Sequence, residues 1–222
     1  KKACDLSDFQ SSLIQTAYFS AYFLAALPAG WLMKKLGYKN GILIGLVLCA
    51  IGTCLFYPAA ETRIYSFFLI ALFIMACGAT VLEVAANPYV TVLGDPLSSE
   101  KRLNFAQSFN AVGAVITPLI GKNFILSGKE YSSIELSAMT PAALEAYRSF
   151  EASMVKAPYL FLTAIFLFIA VLVLFSKLPE IQREAEVATA QDKGKSIWRH
   201  KHLVMGIMAQ FFYVGAQVGV AS

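Results

Sequence analysis

Charge is what this sequence has least of: Asp, Glu, Lys and Arg make up 14% of its 222 residues, against 58% hydrophobic residues. A soluble domain carries about 25% charged and about 45–50% apolar residues, so these few charges cannot cover a water-facing surface, and a soluble globular fold is excluded. There are only 2 histidines, and His200 and His202 sit in a basic, solvated stretch. Cys49, Cys54 and Cys77 fall inside apolar runs without ligand spacing and Cys4 stands alone, so neither a disulfide framework nor a metal site follows. The net charge is only +4, and Lys and Arg cluster in connecting segments, which suits topology determinants and not a nucleic-acid partner. The short alternating segments of an outer-membrane barrel are missing as well. So are an initiator Met and a signal-peptide pattern, and the chain ends inside an apolar block, which reads as an internal fragment.

What the sequence has instead is uninterrupted apolar blocks of helix length, at 9–33, 41–57, 64–93, 105–126, 157–175 and 203–222. At about 20 residues per crossing they predict an all-α membrane protein with six transmembrane helices, a monomer whose surroundings are the lipid bilayer. The block at 64–93 is longer than a crossing requires and is expected to tilt, kink at Pro88 or project from the bilayer. Eleven cations, including Lys34, Lys35, Lys39, Lys101, Arg102 and Lys177, fall on one side of this arrangement, and seven, including Arg63, Arg148 and Lys156, on the other. The positive-inside rule makes the segment at 34–40 cytoplasmic and the N-terminus external, which implies one further span upstream. Thr140-Pro141 followed by Leu144, Tyr147 and Met154 predicts a short external surface helix. The charged stretch at 176–202 reads as a cytoplasmic linker, dividing residues 1–175, an N-terminal bundle lacking its first helix, from 203–222, the first helix of a second bundle.

Against this apolar background two charged residues stand inside blocks. Lys122 lies near a block end and snorkels to the interface. Glu83 is too deep for that, and an ionised acid at the centre of a span costs about 2.5–3.5 kcal/mol on insertion scales, so it is either protonated or faces a polar cavity. Thr80, Glu83, Asn87 and Thr91 step by three, four and four onto one helical face. Pro88 frees the carbonyl of Val84, and a locally opened helix beside an acid is typical of a transport site. The next block adds Asn104, Gln107 and Asn110, and amides offer the donors and acceptors that a polyhydroxylated ligand needs. Linking neighbouring helices is their alternative role. The first block carries Gln15, Thr16, Tyr18, Ser20 and Tyr22. In the last block Tyr213 and Gln217, one turn apart, are further candidates for ligand contact. Gly41-x-x-x-Gly45 has the spacing of close helix packing.

Gly30-Trp-Leu-Met-Lys-Lys-Leu-Gly-Tyr-Lys39 resembles the loop between the second and third helices of the major facilitator superfamily. Lys34 stands where that superfamily usually has an acid, but this form is similar to its fucose and glucose/galactose proton symporter branch. Leu82-Glu-Val-Ala-Ala-Asn-Pro-Tyr-Val-Thr-Val-Leu-Gly94 and Arg102-Leu-Asn-Phe-Ala-Gln-Ser-Phe-Asn110 resemble that branch's fourth and fifth helices. Phe211-Phe-Tyr-Val-Gly-Ala-Gln217 resembles the start of its seventh. The resemblance implies helices two to seven of a twelve-helix carrier in a bacterial inner membrane. It also implies Glu83 as the helix-four acid of proton coupling, with Gln107 and Asn110 lining a central sugar cavity and a second acid on a first helix absent from this sequence.

The reading that joins these features is proton-coupled uptake of a monosaccharide by alternating access. Glu83 is the proton-coupling group, and Asn87, Gln107, Asn110, Tyr213 and Gln217 are the substrate-binding candidates. No catalytic residue, metal or cofactor is expected beyond the coupling proton. The alternatives are a membrane enzyme acting on a lipid-linked substrate, for which Asp95, Glu100, Lys101 and Arg102 offer no metal-ligand pattern, and a sugar receptor that does not transport.

Overall fold

The apolar blocks become helices, several of which extend well beyond them, notably the second at both ends and the fourth and fifth at their N-terminal ends. The structure, a computed structural model, describes residues 8–124, 131, 138–178 and 200–221. Among the described residues six long helices follow one another: α1 (Asp8–Leu36), α2 (Tyr38–Thr62), α3 (Tyr65–Val92), α4 (Ser99–Phe124), α5 (Pro141–Phe175) and α6 (Lys201–Ala221), with a 3-10 turn at Pro96–Ser98. Hydropathy reports where the hydrocarbon ends. The helix continues beyond that boundary, because its backbone groups remain paired and its polar residues reach the interface. So α2 runs through Pro58 to Thr62, and the α1–α2 connection shrinks to Gly37. Gly37 takes a φ of 81°, and its N–H bonds the carbonyl of Met33 at 3.0 Å. That backbone conformation is one a side chain strongly disfavours.

Two expectations change. The surface helix expected after Thr140 is not separate: Thr140 caps it, its hydroxyl accepting from the Ala143 N–H at 3.4 Å, but the helix then runs unbroken through Pro158 into the last span. Nor does Pro88 open α3, which stays helical from Tyr65 to Val92. The expected linker lies outside the described residues over 179–199.

The chain divides into two units, Lys1–Ile181 and Gln182–Ser222. In the first, α2 is central, packed along α3 and α5, while α1 lies on α3 and the beginning of α4 touches α3. The interior is built from small residues, with Ala50, Ala59, Ala71, Ala76 and Ala85 buried, so the helix backbones come close. Where α2 meets α5, the buried Thr163 hydroxyl donates to that of Thr53 at 2.8 Å, and Phe56 stacks on Tyr159 with ring centroids 4.0 Å apart. Outward, Phe23 and Leu27 on α1 are 80% and 82% exposed, the apolar stripe of a helix whose solvent is lipid. By length and composition α2, α3 and α5 are apolar enough to cross a membrane. The remaining long helices, of 29, 26 and 21 residues, also have the length, and the first two of them carry more polar side chains.

Both ends of this unit are marked by aromatic–cation pairs. Lys35 sits over Trp31 at 5.1 Å at one end, and Lys156 over Tyr57 at 4.8 Å at the other, as membrane-interface anchors do. At the first end the Lys39 ammonium donates to the carbonyls of Leu174 and Ser176, at 3.0 and 2.9 Å, and so caps the C-terminus of α5. At the other, Arg63 pairs with Glu145 and Lys156 with Glu61, both joining α2 to α5.

Candidate functional site

Between those two ends, Glu83 is the one carboxylate or cation among the described side chains of α1, α2, α3 and α5. It is exposed on α3, and it is not alone. The Tyr22 hydroxyl, on α1, donates to Glu83 Oε1 at 3.2 Å, and the Tyr18 hydroxyl donates to that of Tyr22 at 3.1 Å. The two tyrosines are four residues apart, so their rings lie on the same side of α1, with centroids 5.0 Å apart.

One turn beyond Glu83, the Gln107 side-chain amide on α4 donates to Asn87 Oδ1 at 3.0 Å. The acid and this amide pair therefore follow one another along α3, separated by about 6 Å of helical rise. Asn110 and Asn104, one turn to either side of Gln107, are exposed. Of the predicted polar face, Glu83 and Asn87 reach across to neighbouring helices, but Thr80 does not. Thr80 is 2% exposed, on the packed side of α3, and its hydroxyl donates to the carbonyl of Ala76 at 2.9 Å. Thr91 likewise bonds its own helix, at the Pro88 carbonyl, 2.7 Å away.

The register of α4 against α3 is held by Arg102. Its Nε donates to the Val90 carbonyl at 3.2 Å and its two terminal nitrogens to the carbonyls of Thr91 at 2.8 Å and Asp95 at 2.9 Å. These include the last carbonyls of α3, which have no partner within the helix. Asp95 caps the short turn that follows, its carboxylate accepting from the Leu97 N–H at 3.1 Å. Arg102 thus ties the end of α3 to the start of α4, five residues before Gln107. The sequence marks Arg102 as a topogenic charge and as a residue of the enzyme alternative, not as a clamp on α3, and Tyr22 only as one polar residue among several. The i,i+4 spacing of Tyr18 and Tyr22 was the available signal for that pair, and no local signal identified their partner.

On α6, in the second unit, Tyr213 is 64% exposed. The side chain of Gln217 lies outside the described residues, as does that of Lys122.

Chemically, the first unit offers a titratable acid held by a phenol, beside donors and acceptors suited to hydroxyl groups. Comparison with known proteins places the chain in a family. The profile of the Major Facilitator Superfamily matches residues 2–222. The glucose/galactose transporter of Brucella abortus biovar 1 (strain 9-941) is 44% identical over 100% of this chain and 50% of its own length. The L-fucose-proton symporter of Escherichia coli (strain K12) is 43% identical over 98% of this chain and 51% of its own. A crystal structure of the E. coli fucose:proton symporter superposes with a TM-score of 0.78 at 42% identity, covering 95% of this chain and 52% of that one. A crystal structure of a superfamily transporter in the outward conformation gives 0.72 at 47% identity, over 81% and 44%. The chain spans about half the length of the curated relatives it matches. With its long apolar helices and a matching profile over nearly its whole length, the chain belongs to the Major Facilitator Superfamily and is a multi-pass membrane protein.

Proposed function

We propose that this chain is the part of a bacterial inner-membrane carrier that holds its proton-coupling acid, and that the carrier takes up a monosaccharide together with a proton. The observation that carries the reading is Glu83, an acid inside an apolar helix, hydrogen-bonded to Tyr22 and one turn from the Asn87–Gln107 pair. The names of the relatives, a glucose/galactose transporter and an L-fucose-proton symporter, supply the substrate class. They are transporters, and this favours carriage over chemistry on a lipid-linked substrate.

In this reading Glu83 takes a proton from the external side and thereby loses the charge that opposes its passage through a closed, water-poor state. Asn87, Gln107 and Asn110 meet sugar hydroxyls with their amides, while Tyr213 and Gln217 contribute from the second bundle that begins at residue 203. The two bundles rock about the shared site and the proton leaves on the cytoplasmic side. The carrier acts as a monomer and needs no cofactor besides the proton.

Glu83→Gln tests this in the full-length protein reconstituted into proteoliposomes. Glutamine keeps the size and hydrogen bonding of the neutral acid but cannot titrate. Accumulation of radiolabelled L-fucose or D-galactose driven by a pH gradient is expected to vanish, while sugar counterflow continues. Accumulation equal to wild type would overturn the assignment.

A further inference from the structure

We propose that Tyr18 and Tyr22 form a proton relay that loads Glu83 from the N-terminal end of α1, an inference that rests on the proton-coupling role proposed for Glu83. Three oxygens stand in an unbroken series, Tyr18 Oη to Tyr22 Oη at 3.1 Å and Tyr22 Oη to Glu83 Oε1 at 3.2 Å, with each hydroxyl donating toward the carboxylate. That is the direction a proton takes to reach the acid. A phenol both donates and accepts, so it passes a proton on without keeping a charge. Tyr22 gives its hydroxyl proton to Oε1 and receives that of Tyr18, and Tyr18 is reprotonated by a hydronium ion at its outer side. One O–H bond forms at Glu83, one breaks at the hydronium, and both tyrosines end as they began.

Ser20 and Thr80, on the same two helices, bond their own backbones. Ser20 donates to the carbonyl of Ala17 at 3.0 Å and Thr80 to that of Ala76 at 2.9 Å, each satisfied by its own helix. Tyr22 instead directs its hydroxyl at the acid of another helix, and Tyr18 directs its own at Tyr22. No competing charge interrupts the series among the described side chains. Residues 13–33 of α1 contain no ionisable group besides these tyrosines. On α4, Arg102 is engaged at the carbonyls of Val90, Thr91 and Asp95, beyond Asn87, and on α2 Lys39 is turned to the end of α5. The geometry also has a direction. Tyr18 lies one turn, about 6 Å, closer than Tyr22 to the N-terminal end of α1, away from the Lys34, Lys35 and Lys39 cluster. By the positive-inside rule that end is external, the side from which a symporter draws its proton.

The test uses full-length protein in proteoliposomes, with an internal pH dye and radiolabelled D-galactose and L-fucose, comparing wild type with Tyr18→Phe, Tyr22→Phe and Glu83→Gln. Both phenylalanine variants keep the ring and its packing. Sugar-coupled proton influx is expected to fall by about a hundredfold in each, the lower end of what a positioned proton donor supplies, with counterflow within about twofold of wild type. Tyr18→Phe is the decisive variant, because it leaves the Tyr22–Glu83 contact intact. If Tyr22→Phe is slow and Tyr18→Phe is not, Tyr22 merely positions the acid and the relay is overturned. It is overturned equally if both variants match wild type while Glu83→Gln loses accumulation. Full accumulation by Glu83→Gln brings the relay down together with the coupling role beneath it, and that outcome is recognisable by itself. Should Tyr22→Phe fail to fold, as judged by lost counterflow, Tyr18→Phe alone decides.

Discussion

Asn87 and Gln107 occupy positions open to two roles, linking helices or meeting a sugar, and the energetics of the two differ. As a link between membrane helices, their 3.0 Å hydrogen bond is worth little, since such bonds average about 0.6 kcal/mol. As groups addressed to a sugar they are worth more, because a bound hydroxyl that loses its partner in a water-poor site costs about 1–3 kcal/mol. Gln107→Ala in the full-length protein is therefore expected to shift the melting temperature in detergent only slightly, while weakening half-saturation of counterflow by about tenfold, or 1.4 kcal/mol. A large loss of stability with unchanged sugar affinity would assign Gln107 to packing instead. Glu83, Asn87 and Gln107 were all legible in the sequence, because an acid and amides stand out on apolar helices. Tyr22 was visible but mute. Its partner lies 61 residues away, and only the packing of α1 on α3 makes them neighbours.

Helices in this chain are joined by closeness more than by polar contacts, and glycine sets how close they come. A Cβ on Gly52 would lie 2.5 Å from the Met75 nitrogen, and one on Gly78 2.6 Å from that of Cys49, both backbone atoms that cannot step aside. A Cβ on Gly41 would meet only the flexible end of Met33, at 2.1 Å from Sδ. The Gly41-x-x-x-Gly45 spacing pointed to the right face of α2, whereas the tightest crossing is at Gly52 and Gly78, which no such pattern flags. Gly52→Leu or Gly78→Leu is expected to force α2 and α3 apart at a cost of about 1–3 kcal/mol or more, seen as a lower melting temperature and loss of monodispersity on size exclusion, whereas Gly41→Ala is tolerated. Lys39 acts at this scale too. Lys39→Met removes the cation from the end of α5 and is expected to cost about 0.3–1 kcal/mol, again measured by melting. Neither the capping of α5 by a lysine 135 residues earlier nor the length of α5 itself was readable locally. The sequence does suggest a helix start at Thr140-Pro141, but whether that helix stops or continues into the span depends on α2 being alongside to receive Glu145 and Lys156.

For the molecule as a whole, the two ends of the first unit carry different charges, Lys34, Lys35, Lys39, Lys101, Arg102 and Lys177 with Asp95 and Glu100 at one and Arg63, Arg148 and Lys156 with Glu61 and Glu145 at the other. The imbalance predicts that the first end is cytoplasmic. In a cysteine-free full-length background, Asn40→Cys is expected to resist a membrane-impermeant maleimide applied to intact cells and Thr62→Cys to react with it. The reverse pattern would invert the orientation and turn the Tyr18–Tyr22 series toward the cytoplasm.

The sequence by itself determined the solvent, the rough extent of the long helices among the described residues, and which residue is out of place among them. Each of these follows from composition and one-dimensional spacing: apolar length against bilayer thickness, charge against apolar surroundings, and helical period. The tertiary structure alone decided which helix faces which, and with that the hydrogen bond from Tyr22 to Glu83, the clamp of Arg102 on α3 and the lysine cap on α5. Those are contacts between residues remote in the chain. Their free energy depends on distances of about 3 Å, which no local pattern encodes.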